Sequence, residues 1–200
     1  MAGLVLAGLA FRGVGPIDLA VAPGECVAIL GPSGSGKTLL LRAVADLDPQ
    51  QGEVRLDGVE REALAGPAWR RRVGLLRPES AWWRDTVGEH FPDAEVPGLE
   101  RLGFRREVLQ RAVAHLSSGE RQRLALLRLL ARRPRALLLD EPTAHLDAEA
   151  TRAVEALLGE YRERERAPVV WVTHDRAQAE RVAARRLRLA DGRLSELAPA

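Results

Sequence analysis

Short apolar runs broken by glycine and proline fill the first part of the chain. Leu4-Val5-Leu6 and Ile17 to Val21 are two of them, and Pro23-Gly24 marks a turn beyond. They predict strands of an antiparallel sheet. Glu25-Cys26-Val27-Ala28-Ile29-Leu30 is a buried-strand pattern that stops at Gly31. Thr38 to Val44 predicts a helix, and Val54 to Leu56 and Val73 to Leu76 predict short strands. From about residue 80 to 116 the texture changes to Trp82, Trp83, Phe91, Phe104 and several prolines, without a long β pattern, which predicts an inserted helical subdomain. Residues 119–132 carry Leu124, Leu127, Leu130 and Ala131 on one helical stripe. Leu137-Leu138-Leu139 predicts a buried strand, Asp147 to Tyr161 an amphipathic helix, Val169 to Val172 a strand, and about Arg176 to Arg185 a helix. Apolar strands alternating with helices imply an α/β fold: a mostly parallel sheet covered by helices, here with an N-terminal antiparallel β subdomain. In such sheets ligands bind beyond the carboxyl ends of the strands.

Composition narrows the class. The chain has 200 residues, 46% hydrophobic and 29% charged, ordinary for a single globular domain. No apolar run reaches the roughly 18–20 residues that span a bilayer. Met1-Ala2-Gly3-Leu4 lacks the basic flank of a secretory signal, so a cytoplasmic protein is expected, unless a partner holds it at a membrane. The formal net charge is +2. Arg70-Arg71-Arg72 and Arg185-Arg186 are short runs, not the concentrated basic face of a nucleic-acid binder, and no nucleic acid is expected as partner. Cys26 stands alone, which excludes an intrachain disulfide and a multi-cysteine zinc site.

Gly31-Pro32-Ser33-Gly34-Ser35-Gly36-Lys37-Thr38 fits G-x-x-x-x-G-K-[ST], with a buried strand before it and a helix after. The glycines let backbone N–H groups turn inward to phosphate oxygens, and the helix start adds its positive dipole end. Lys37 would reach the β- and γ-phosphates of ATP, and the Thr38 hydroxyl would bind Mg²⁺. Lys37 is the only lysine in an arginine-rich chain, which sets this cation apart. The motif makes the fold class a P-loop NTPase.

Asp140 and Glu141 follow the apolar Leu137-Leu138-Leu139. Asp140 would help hold Mg²⁺ and Glu141 would act as general base on the attacking water. His174 ends the Val169–Val172 run on the same ligand side, where it could meet the γ-phosphate. His90, His115 and His145 have no such placement.

Leu116-Ser117-Ser118-Gly119-Glu120-Arg121-Gln122-Arg123 resembles the LSGGQ/E signature of ABC ATPases, with Ser118 in place of the first glycine. Glu141-Pro142-Thr143 and Ala144-His145-Leu146-Asp147 resemble the E-P-T and D-loop segments of that family. The resemblance runs from about Leu4 to Leu194. It implies a single domain over 1–200, with about 1–79 and 133–200 as core and β subdomain, and about 80–132 as the helical part carrying the signature. It also implies a homodimer, or a heterodimer with a similar ATPase, in which Ser117, Ser118, Gly119, Glu120 and Asp147 meet ATP bound to the opposite copy. An integral membrane permease would dock near residues 80–116, placing the chain on the cytoplasmic face of the cell membrane as the ATP-hydrolysing subunit of a transporter. Two further features depart from the family. Pro78 falls where the family has a glutamine and offers the metal no side-chain ligand, a place Glu79 could take if the loop shifts. Phe11 is the nearest aromatic for stacking on adenine, with Gly13 an equally good alignment. Trp82 and Trp83 fit either a docking hot spot or packing of the insert. The Val170-Trp171-Val172-Thr173-His174-Asp175 stretch resembles compact ATPases of metal-ion export. The rival readings are a soluble ABC-type ATPase acting on nucleic acid or ribosomes, against which the lack of coiled-coil or zinc inserts counts, and a regulatory subunit impaired in hydrolysis.

Overall fold

The computed structural model describes residues 3–93 and 95–197. Met1 and Ala2, on which the missing signal flank was partly read, lie outside the described residues, as do Ala94 and residues 198–200.

Two sheets share the chain. The first is antiparallel, in the order β2-β1-β4-β5: β1 (Leu4–Phe11) pairs with β2 (Val14–Val21) and β4 (Gln51–Leu56), and β5 (Val59–Glu60) closes the edge. The second has the order β10-β9-β3-β8-β7-β6. In it β3 (Cys26–Leu30), β6 (Val73–Leu76), β7 (Ala136–Asp140), β8 (Val169–Val172) and β9 (Arg185–Ala190) run parallel, and only β10 (Arg193–Glu196) is antiparallel. Every residue of β3, β7 and β8 is buried, Asp140 at the end of β7 included.

Strand geometry explains why these runs are apolar without alternation. Successive side chains point to opposite faces, and both faces are covered. Val27, Ile29, Leu138, Val170 and Val172 enter one core, shared with the antiparallel sheet and α1 (Lys37–Val44). Ala28, Leu30, Leu137, Leu139 and Trp171 enter the other, under α3 (Ser118–Leu130), α4 (Ala148–Glu165) and α5 (Arg176–Val182). Each leucine so buried is worth about 1.5–3 kcal/mol of transfer free energy. On α4, Val154, Leu158 and Tyr161 form the buried stripe, and Tyr161 Oη donates to Pro134 O at 2.8 Å.

Several elements differ from the sequence expectation. Between β6 and α3 the described backbone forms four 3-10 turns, at Gly88–His90, Glu100–Leu102, Arg106–Gln110 and Val113–His115, so the helical insert has α3 as its one long helix. Prolines and glycines there prevent longer runs. Backbone bonds from Val113 N to Asp85 O (2.9 Å) and Val87 N to Arg111 O (3.1 Å) close the turns on each other. The sequence reading left out α2 (Gly66–Arg72), β9 and β10. For the last two the signal was present: Leu187 and Leu189 alternate with arginines, and Asp191-Gly192 is a hairpin turn. Phe11 is 5% exposed and packs in the core beneath the antiparallel sheet. It also borders a surface cavity with Arg12, Gly13 and Gln51. The hairpin tip, Arg12-Gly13, is exposed.

Candidate functional site

Parallel strands put their carboxyl ends on one edge, and the sequence candidates gather there. Gly31 follows β3, Asp140 ends β7 with Glu141 next, and Thr173-His174 follows β8.

The phosphate loop is shaped by close approach. A Cβ on Gly31 would lie 2.2 Å from Leu189 O, and one on Gly36 (φ 98°) would lie 3.0 Å from Val14 Cγ2, so neither position accepts a side chain. Gly36 also precedes α1 without any side-chain cap, leaving the first N–H groups of that helix open to an anion. The Ser35 hydroxyl is buried without a hydrogen-bond partner. Lys37 Nζ donates to Gly31 O (2.8 Å) and Pro32 O (2.9 Å), folded over its own loop. Pro32, Ser33 and Gly34 form the loop's outer turn, and Ser35 N donates to Pro32 O at 3.2 Å.

Across the loop, Thr38 Oγ1 donates to Asp140 Oδ2 at 2.7 Å, two residues 102 positions apart. Asp140 is 2% exposed. Burial pushes its carboxyl above the usual range, while the Thr38 bond and the charges of Lys37 and Arg77 pull it down. A buried carboxylate beside a hydroxyl, short of compensating charge, is a chemical fit for Mg²⁺. Among the described residues no group of three or more His, Cys, Asp or Glu could hold a metal, so the remaining ligands would be water and phosphate oxygens, the usual manner of Mg²⁺. Arg77 was not foreseen. It continues β6 in register with Asp140, since Leu76 pairs with Leu139. Thus a guanidinium stands on the flank where the family's glutamine is missing, and Pro78 beside it is exposed.

Glu141 adopts φ 49°, a left-handed conformation that costs a non-glycine residue about 1 kcal/mol or more. Its N–H donates to Val172 O (3.0 Å), which ties it to β8. Glu141 Oε1 lies 2.9 Å from His174 Nδ1. With the proton on Nδ1 the imidazole donates to the carboxylate, and Nε2 is left facing outward on a ring that is 79% exposed.

The signature has its own local logic. Ser117 caps α3: its Oγ accepts from Glu120 N (3.2 Å), and the Glu120 carboxylate accepts from Ser117 N (2.8 Å), a reciprocal capping box. Glu120 also takes a bond from Arg111 (2.7 Å), which holds its carboxyl below the usual range. Its carboxylate is thus committed to the cap, and it does not present itself to a phosphate. Ser117 and Ser118 are exposed, while Leu116 is buried as the anchor. A Cβ on Gly119 would sit 3.1 Å from Leu146 Cδ2, so the signature and the D-loop form one surface. Asp147 caps α4 by accepting from Ala150 N at 2.8 Å. The two tryptophans divide between the two readings: Trp82 packs against the core and Trp83 is 59% exposed. His90 is structural, its Nε2 accepting from Trp83 N (2.9 Å) and Arg84 N (3.0 Å).

This loop, strand order and acid pair define a P-loop nucleotide-binding protein. Residues 14–144 match the family model described as ABC transporter. The chain is 39% identical over 90% of its length to the Fe(3+) ions import ATP-binding protein FbpC of Streptomyces coelicolor, and 38% identical over 94% to the sulfate/thiosulfate import ATP-binding protein CysA of Rhodopseudomonas palustris. It spans 56% and 59% of those relatives. A solved dimeric ATP-binding cassette, in a post-hydrolysis state with ADP and Pi, superposes with TM-score 0.82 at 25% identity, over 98% of this chain and all of that one. The chain belongs to the ABC transporter family. These relatives are named for import, not for the metal-ion export of the sequence resemblance. Among the described residues no helix is long and apolar enough to cross a membrane.

Proposed function

We propose that the chain is the ATP-hydrolysing subunit of an importer, working as a head-to-tail dimer against a membrane permease on the cytoplasmic face. The import direction is supported by the relatives' names, and dimerisation by the dimeric neighbour. The relatives' solutes differ, among them iron, sulfate and sulfonates, so the solute is set by the permease and not by this fold.

The observation that carries the catalytic reading is the 2.9 Å contact of Glu141 with His174 beside the Thr38–Asp140 pair. On ATP binding, Lys37 leaves the Gly31 and Pro32 carbonyls for the β- and γ-phosphates, and the loop N–H groups and the Ser35 hydroxyl take further phosphate oxygens. Mg²⁺, held by Thr38, Asp140 and phosphate oxygens, would supply positive charge to the leaving diphosphate. Glu141 orients water and accepts its proton, and His174 fixes the carboxylate through Nδ1 while its Nε2 faces the γ-phosphate. The partner's Ser117 uses Oγ as acceptor in its own cap, which leaves the hydroxyl proton and the exposed Ser118 free for the phosphate from the other side. ATP thus joins two positive turns, and hydrolysis removes the bridge. Pro78 and Ser118 favour a second reading, a subunit that binds ATP and turns it over slowly.

Glu141→Gln decides between these. In the first reading it binds ATP, loses about 100-fold or more in steady-state turnover, and accumulates an ATP-bound dimer on gel filtration. Wild-type turnover already as low as the variant's would establish the second reading, and undiminished hydrolysis by the variant would remove Glu141 from the base role.

A further inference from the structure

A cavity of about 140 Å³ lies between α4, α5 and the first residues of β3 and β8. It is remote from the phosphate loop, because Cys26 and Val169 start the strands whose far ends lead to Gly31 and Thr173. Arg181 is exposed at its mouth. Gly159 of α4 also borders it, and a Cβ there would meet nothing within 4 Å.

The lining is rich in donors that lack acceptors. Trp171 is 2% exposed, and its indole nitrogen is buried without a hydrogen-bond partner. The Nε of Arg162 is buried and unpartnered too. Another nitrogen of that guanidinium reaches Glu163 at 3.3 Å, but this carboxylate is 72% exposed and its pull is screened by water. Burial pushes the Cys26 thiol, beside Arg162, up to about 12, so near pH 7 it is a neutral S–H donor. The carboxylate of the lining, Glu155, is committed: it accepts from Arg181 and from Gln178, each at 2.9 Å. Two guanidiniums thus line the cavity with one carboxylate, and the surplus charge is positive. Leu158, Val169 and Val182 add apolar wall. A cavity of this size holds a molecule of about six non-hydrogen atoms.

We propose that this cavity binds a short-chain monocarboxylate, whose oxygens accept from the Trp171 indole and the Arg162 Nε while its alkyl part lies against Leu158 and Val182. The ligand is an anion because donors and positive charge exceed acceptors. It carries one charge because one guanidinium is in surplus, and the space keeps it small.

The cavity also connects with the catalytic loop. A bound acid competes with Glu155 for Arg181. Glu155 in turn holds Gln178, whose amide donates to Thr143 Oγ1 at 2.7 Å, two residues beyond Glu141. The acid is therefore an effector that loosens this chain of contacts and lowers turnover. That half of the inference rests on the ATP-hydrolysing function proposed above.

The probe is butyrate, with butyramide as its neutral twin, titrated at constant ionic strength into nitrogen-15-labelled chain. The indole N–H resonances are followed, and Trp171→Phe identifies the Trp171 peak among the four tryptophans by its loss. Butyrate should move that peak downfield to saturation and bind about tenfold or more tightly than butyramide. By calorimetry, Trp171→Phe and Arg162→Gln should each weaken butyrate about tenfold. Gly159→Leu, a better helix former that fills the mouth, should abolish binding, and it keeps the test open should Trp171→Phe fail to fold in thermal melts. A Trp171 peak that butyrate does not move, equal binding of the twins, or binding that survives Gly159→Leu overturns the site. In the same samples butyrate should lower ATP turnover about fivefold in the wild type and leave Gly159→Leu unaffected. Binding without a change in turnover overturns the effector role. Absence of turnover from the wild type would count against the transporter reading alone, because the resonance shift is read without ATP.

Discussion

Replacing Asp140 by asparagine keeps the shape of a buried side chain and removes its charge. Asp140 is 2% exposed and accepts the Thr38 hydroxyl at 2.7 Å. Holding an ionised carboxylate there costs several kcal/mol, and the attraction of Thr38, Lys37 and Arg77 offsets only part, since burial is the largest influence and its carboxyl titrates higher than usual. Asparagine still accepts from Thr38, though a neutral bond is weaker by about 1 kcal/mol. The balance leaves nucleotide-free Asp140→Asn more stable by about 1 kcal/mol near pH 7, a rise of about 2–4 °C in Tm. The pH dependence has a definite sign. With its folded-state pKa raised, Asp140 binds its proton more tightly in the folded chain than in the unfolded one. The handicap of the wild type is full above the raised pKa and fades as pH falls through it toward about 4, so the two melting curves converge. With ATP and Mg²⁺ at about a hundred times Kd, the wild type should gain about 2.7 kcal/mol and the variant much less, inverting the order. Scanning calorimetry with and without nucleotide measures all three effects. A variant that melts below the wild type without nucleotide, or gains as much from ATP and Mg²⁺, would refute the argument that Asp140 is an uncompensated charge awaiting a cation.

Lys37→Ala removes the one lysine, now bound to two loop carbonyls; it should abolish nucleotide binding in equilibrium dialysis while leaving the fold's circular dichroism unchanged. His174→Ala frees Glu141 from its 2.9 Å partner, and turnover should fall about 100-fold with little change in ATP affinity, a split that steady-state kinetics and binding resolve together. Ser117→Ala breaks the capping box; a loss of about 1 kcal/mol, read as a Tm drop of about 2–4 °C, should accompany weaker ATP-dependent dimerisation.

Much of this was legible in the chain before any fold was known, and the misses are instructive. The buried strands were recognised because apolar residues on both faces leave no alternation to misread. An aromatic in a β hairpin reads alike whether it faces a core or a ligand, and only packing put Phe11 5% exposed under the sheet. Arg111, which locks Glu120, and Arg162, which lines a cavity with Trp171, look like every other arginine in a sequence rich in them.

What the sequence by itself determined are the contiguous devices: the glycine-rich cradle of Gly31–Thr38, the Ser117–Glu120 cap and the acid pair at the end of an apolar run. Their properties come from short-range sterics and hydrogen bonding within a few residues. Tertiary structure alone decided that Thr38 meets Asp140 across 102 positions, that Glu141 meets His174 across 33, and that Cys26, Arg162 and Trp171 border one cavity. Those meetings depend on the order β3-β8-β7-β6 in which parallel strands pair. Neither hydrophobic period nor composition encodes that order, because every buried strand presents the same two apolar faces to its neighbours.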